Sequence, residues 1–183
     1  MEAARAALLV PGRLYGPSAP LLWFARAAAQ ARRAHVEAVD WVVPDDLPDA
    51  AWAQWVADQV TTRLDKVTPD YGPPLVIAKS LGTGAAGLAA DRGLPAIWLT
   101  PLLHLDAVVA GLRRATAPYL LIGGTDDESW NLQLAEDLTP HVLSVAHADH
   151  ALHVPGRLAA SAEVLGRVAT AIEDFLDTVV WPT

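Results

Sequence analysis

The sequence predicts an α/β protein built on a parallel sheet, and three observations carry that expectation. Short β-branched or aliphatic runs alternate with helical patterns along the chain. Turn formers and helix caps fall at the junctions between them. No internal repeat, low-complexity tract or Gly/Ser-rich linker interrupts the alternation, so residues 1–183 read as a single domain.

The elements follow in order. Arg5–Val10 reads as a first strand, ended by Pro11-Gly12. Ser18 is positioned to cap a helix through about Arg33, with Leu21, Leu22, Ala25, Ala28 and Ala29 on one face. Val36–Val43 reads as a second strand, stopped by Pro44 and Asp45-Asp46. Asp49 is the expected cap of the next helix, where Trp52, Trp55, Val56, Val60, Leu64 and Val67 recur at helical spacing. Asp70-Tyr71-Gly72-Pro73-Pro74 breaks the chain before a third strand, Leu75–Lys79.

A small-residue helix follows Ser80 and stops at Gly93, read as a left-handed C-terminal cap. Ala96–Thr100, Tyr119–Ile122 and Val142–Ala146 read as the fourth to sixth strands. Helices are expected at about Asp106–Arg114, Ser129–Asp137 and Leu158–Thr178. The last of these carries Leu158, Leu165, Val168, Ile172 and Phe175 along one stripe. Strand–helix alternation calls for a sheet covered on both faces with right-handed crossovers. Ligands of such sheets bind beyond the carboxyl ends of the strands, so the residues just after each strand matter most.

Composition narrows the function classes. At 183 residues and 52% apolar composition, the chain can bury a substantial core. No apolar run approaches the ~20 residues that cross a bilayer, and the start at Met1-Glu2-Ala3-Ala4-Arg5 lacks the layout of a signal peptide. The expectation is a cytoplasmic protein with no membrane partner. Net charge is −8 and the 13 Lys and Arg are scattered, which argues against a nucleic-acid partner. Without cysteine the chain has no disulfide, thiolate metal site or cysteine nucleophile.

The third strand runs into Val76-Ile77-Ala78-Lys79-Ser80-Leu81-Gly82-Thr83-Gly84. This is small-x-Ser-x-Gly between a buried strand and a helix, the pattern of a nucleophile elbow, in which a serine on a strained turn projects its hydroxyl outward. Residues two before and two after must be small, and they are Ala78 and Gly82. The helix amino end favours a developing oxyanion. The alternative is a serine that merely caps a helix. Lys79-Ser80 also echoes the end of a phosphate-binding loop, but that pattern needs glycine where Pro73 and Ala78 stand.

The stretch Ala78-Lys79-Ser80-Leu81-Gly82 resembles the α/β-hydrolase family, and most closely its small lid-less members with Gly-Lys-Ser-x-Gly, departing only at Ala78. The resemblance implies a Ser-Asp-His order, with the acid after a later strand and the histidine after the last. Ile122-Gly123-Gly124-Thr125-Asp126-Asp127 is similar to the family's Gly-x-x-Asp turn and selects Asp127, with Asp126 its rival and a helix cap its other use. Ala148-Asp149-His150, continued by Val154-Pro155, resembles the family's histidine loop and selects His150. His147, His150 and His153, three apart, also suggest a metal site, which is the lesser reading.

The resemblance further implies an oxyanion hole from the backbone N–H of Leu81 and of a residue in the loop after the first strand. Arg13 is the choice there and Leu14 the fallback. Family topology implies a mainly parallel sheet of about six strands in the order 2-1-3-4-5-6, helices on both faces, and no cap domain. Trp130 and His104 fall near the expected pocket, though packing for the first and a surface position for the second are the simpler readings. Lys79 is expected in solvent. The function expected is a serine hydrolase that takes a small-molecule ester or thioester through an acyl-enzyme, with no cofactor and no metal. The alternative is a non-catalytic binding or scaffold protein on the same fold. Oligomeric state, including a homodimer, stays open.

Overall fold

The computed structural model describes residues 4–48 and 51–182. Six parallel strands form one sheet in the order β2-β1-β3-β4-β5-β6: β1 (Ala6–Val10), β2 (His35–Ala38), β3 (Leu75–Lys79), β4 (Ala96–Leu99), β5 (Tyr119–Gly124) and β6 (Val142–Val145). The switch point lies between β1 and β3, which pair through Leu8 with Val76 and Val10 with Ala78.

Strand alternation splits the core into two layers. Ala7, Leu9, Leu75, Ile77, Ile97, Leu99, Leu120 and Ile122 face α1 (Pro20–Ala31) and α6 (Leu158–Phe175). Leu8, Val10, Val76, Ala78, Trp98 and Leu121 face α2 (Trp52–Tyr71), α3 (Ala86–Asp91), α4 (Asp106–Arg114) and α5 (Leu132–Leu138). Both layers are apolar because the crossover helices cover both faces of a parallel sheet.

Most element boundaries agree with the sequence reading, and the departures have local causes. Helix α1 is capped at Ala19, not Ser18, with Pro20 as its first residue, where proline's missing N–H costs nothing. Its buried residues are Leu21, Leu22, Ala25, Ala28 and Ala29, the face expected. Strand β2 stops at Ala38, because the chain leaves the sheet edge to set the Trp41 ring 5.0 Å from that of Trp55 on α2. The expected Asp49 cap lies outside the described residues. Helix α2 runs on to Tyr71 and ends at Gly72, whose φ is +74°.

The segment after Ser80 opens as a 3-10 turn over Ser80–Ala85 before α3 begins, and Gly93 takes the left-handed conformation expected of it. Helix α5 starts at Leu132 and not at Ser129, because Asn131 is its cap: the Asn131 side chain accepts a bond from Leu134 N–H. In the last helix Val168, Ile172 and Phe175 are buried, but Leu158 is 81% exposed and leaves the expected stripe. Past Phe175 the helix widens to a π turn over Leu176–Val180. Among the described residues no helix is long and apolar enough to cross a membrane.

Candidate active site

Three chain segments that leave the carboxyl ends of β3, β5 and β6 meet above the sheet. Ser80 follows the last residue of β3 with φ +53°, a left-handed conformation costly for a residue with a Cβ. Its neighbours explain how the turn closes. A Cβ on Gly82 would lie 2.7 Å from the carbonyl oxygens of both Val10 and Pro11, so the β1 loop and the elbow pack in contact only because residue 82 has no side chain. A Cβ on Gly12 would sit 3.4 Å from the Ser80 Cβ. The loop after β1 therefore lies against the serine, as the β1–β3 adjacency requires.

His150 Nε2 lies 2.8 Å from Ser80 Oγ, and His150 Nδ1 lies 2.7 Å from Asp127 Oδ2. Serine, imidazole and carboxylate thus form one hydrogen-bonded chain of the kind that can withdraw a proton from the hydroxyl. The histidine is partly open to solvent, with 38% of its side chain exposed, whereas 3% of the Asp127 side chain is. Burial pushes the Asp127 carboxyl up. The hydrogen bonds from His150 and the Ser129 N–H, with the charge of His150, outweigh that and hold it below the ordinary carboxylate range. It is Asp127, not Asp126, that reaches the imidazole. Asp126 faces solvent beside Thr125 and His147.

The acid and histidine loops are built around one another. Trp130 packs on Gly123 so closely that a Cβ there would be 2.1 Å from its ring, and its Nε1 donates to Ser144 Oγ. That wedge fixes the β5 exit, so Trp130 serves packing. In the histidine loop the Asp149 carboxylate accepts from the N–H groups of Ala151 and His153, a turn centred on an aspartate side chain. His147 and Leu152 take positive φ at its two ends, 59° and 60°. His147, His150 and His153 do not converge: among the described residues no three His, Asp or Glu side chains are grouped as a metal site would need.

Arg13 and Leu81 line one cavity of about 370 Å³ together with Leu47, Trp52, Leu102, His104 and Leu105. His104 thus belongs to a pocket wall. A larger apolar cavity of about 500 Å³ is lined by Tyr15, Leu21, Leu158 and Leu165 together with Leu152 of the histidine loop.

The structure corrects the sequence reading at Lys79. Far from being solvated, it is 3% exposed, and its Nζ donates to the His150 carbonyl at 3.0 Å and lies 4.9 Å above the Tyr15 ring. Burial pulls its ammonium down to about 8, with Asp127 and Asp149 holding it partly up. The signal was present in the strand period, since Lys79 follows Leu75 and Ile77 on the face that packs against α1 and α6.

This six-stranded sheet, with its elbow after β3, has the α/β-hydrolase fold in its lid-less form. Similar solved structures carry that assignment. A Xanthomonas campestris protein placed in the alpha/beta superfamily of hydrolases matches at TM-score 0.73 and 18% identity, over 96% of this chain and 99% of that one. Est1E of Butyrivibrio proteoclasticus, with ferulic acid bound, matches at 0.73 and 11% identity, over 98% and 91%. A serine hydrolase without a lid from Xanthomonas campestris matches at 0.66 and 15% identity, over 95% and 84%. No family model matches the sequence, and neither does any curated protein. At such identities the likeness establishes the fold alone.

Proposed function

We propose that the protein is a serine hydrolase of small esters or thioesters, with Ser80 as nucleophile, His150 as general base and Asp127 as its orienting acid. The observation that carries this reading is the continuous chain Ser80 Oγ–His150–Asp127, at 2.8 and 2.7 Å, set on a positive-φ serine at the sheet's switch point. In this reading His150 takes the hydroxyl proton as Ser80 Oγ attacks the substrate carbonyl, and Asp127 stabilises the imidazolium. Collapse of the tetrahedral intermediate passes that proton to the leaving alkoxide or thiolate and leaves an acyl-serine. Water, deprotonated by His150, then releases the acid and regenerates the serine.

The Leu81 and Arg13 N–H groups are assigned to the developing oxyanion. Support comes from the shared cavity that both residues line and from the nearness of Gly12 to Ser80, where an added Cβ would reach van der Waals distance. Such donors typically contribute ~3 kcal/mol each to the transition state. The short connection between β4 and β5 is taken up by α4, which leaves the site open and suits a substrate of modest size. The lid-less serine hydrolase among the similar structures points the same way.

The test is a panel of matched esters, thioesters and amides of short and aromatic acids, assayed with the wild-type protein and Ser80→Ala. Ester and thioester turnover that Ser80→Ala abolishes is the expected result. Amides cleaved faster than matched esters, or turnover that survives in Ser80→Ala, would overturn the assignment.

A further inference from the structure

We infer that Lys79 is a positioning residue for His150, a buried cation that ties the histidine loop to the nucleophile strand from beneath. Its effect on rate rests on the triad reading just given; the tie itself does not. The neighbouring positions on β3 diverge: Ala78 lies in the α2–α5 layer, while Lys79 continues the Leu75–Ile77 side of the sheet toward α1 and α6. From there its side chain reaches 71 residues along the chain to the carbonyl of His150 itself. The residue beside the nucleophile therefore holds the backbone of the residue that activates it.

A buried ammonium is expensive unless its surroundings compensate. Each element packed on it supplies something. The β1 loop gives the Tyr15 ring face, which attracts a cation. Tyr15 is itself held by the Leu21 N–H, which donates to its hydroxyl from α1. The histidine loop gives the His150 carbonyl, and Asp127 and Asp149 bring negative charge. The titratable groups facing Lys79 are accordingly Tyr15, Asp127, Asp149 and His150. Hydrophobic packing alone would be served better by leucine or methionine at position 79. A lysine kept out of water here holds a charge-assisted bond, roughly twice as strong as a neutral one.

Because that bond depends on charge, it weakens as the ammonium loses its proton near pH 8. Methionine would fill the space without the bond, and arginine would keep the charge at every accessible pH.

The experiment compares wild type, Lys79→Met and Lys79→Arg in two readouts. Backbone amide exchange over residues 147–153 should quicken about tenfold in Lys79→Met, the loss expected for one charged hydrogen bond, and stay near wild type in Lys79→Arg. Unchanged exchange in Lys79→Met would overturn the tie. The rate of fluorophosphonate labelling at Ser80 should fall above pH 8 in wild type, lose that fall in Lys79→Arg, and be low throughout in Lys79→Met. A fall near pH 8 that persists in Lys79→Arg would overturn the role of the charge. Quickened exchange in a protein whose wild-type Ser80 takes no label would uphold the tie and overturn the proposed function instead. Should Lys79→Met not fold, NMR of the wild-type ammonium decides: Lys79 Nζ protons protected from exchange, with a coupling to the His150 carbonyl, support the tie, and protons that exchange as fast as those of a surface lysine overturn it.

Discussion

Gly124 and Ala148 touch so closely that a Cβ on Gly124 would fall 2.1 Å from the Ala148 carbonyl oxygen. That contact seats the Asp127 turn against the His150 loop, and the Asp126 N–H donates to the same carbonyl at 3.0 Å. Neither backbone can retreat without breaking the pairing of β5 with β6. Gly124→Ala is therefore expected to destabilise the fold by about 1–3 kcal/mol, the range for overpacking, and to cut labelling of Ser80 more than stability alone explains. Urea midpoints beside labelling rates separate the two effects.

Asp127→Asn keeps the shape of the acid but removes its charge and favours the wrong imidazole tautomer. Catalysis should fall about 10⁴-fold with little change in substrate affinity, measurable as kcat against KM on the best ester found.

The same carboxyl makes a pH-dependent contribution to stability. Its native pKa is depressed, so the unfolded chain binds more protons over the interval between the two values. The stabilisation is complete above the ordinary carboxylate pKa and is lost as pH falls through the depressed one. Wild type should lose stability on acidification below about pH 4, where an unperturbed aspartate titrates. Asp127→Asn should show a shallower loss in urea titrations at a series of acid pH values.

Lys79 acts at the other end of the scale. Its native value of about 8 lies below its ordinary 10.5, so between those limits the unfolded chain again binds more protons and stability rises with pH. The cost of holding the ammonium in the fold is on the order of 3 kcal/mol below pH 8, from 1.36 kcal/mol per pKa unit, and fades toward pH 10. Lys79→Met should lack that rise. Tyr15 and Tyr119, whose hydroxyls burial pushes up, oppose it only above their ordinary value of 10.

The last helix distinguishes pattern from packing. Ile172 is fully buried between α6 and the sheet, whereas Leu158 is 81% exposed at the helix start. Ile172→Ala should cost about 2–5 kcal/mol in thermal or urea unfolding, and Leu158→Ser within about 0.5 kcal/mol of nothing.

Those two residues show where the sequence was legible and where it was not. The 3.6-residue period locates α6 and its buried face, but a stripe extended past the core includes Leu158, because hydropathy does not record where the sheet ends. The strand order is legible only through the resemblance to the α/β-hydrolase family, whereas the elbow is legible from the small residues Ala78 and Gly82, and a Cβ on Gly82 would indeed strike the Val10 and Pro11 carbonyls. Side-chain direction at an edge was harder to read. Asp126 and Asp127 are equivalent in spacing, and only the turn closed by the Asp127 N–H donating to the Gly124 carbonyl separates them. Ser18 looks like a helix cap and Ser129 like a helix start, yet Pro20 and Asn131 fix those helix starts instead. Lys79 was misread by residue type, since lysine is almost never buried without partners, and its partners come from distant loops.

Activation of the Ser80 hydroxyl by His150 and Asp127 is best read by covalent labelling with a fluorophosphonate and peptide mapping. One adduct per chain is expected, on Ser80, absent in Ser80→Ala and strongly slowed in Asp127→Asn. Folded wild-type protein that stays unlabelled while a known esterase reacts alongside it would mean that the hydroxyl is not activated.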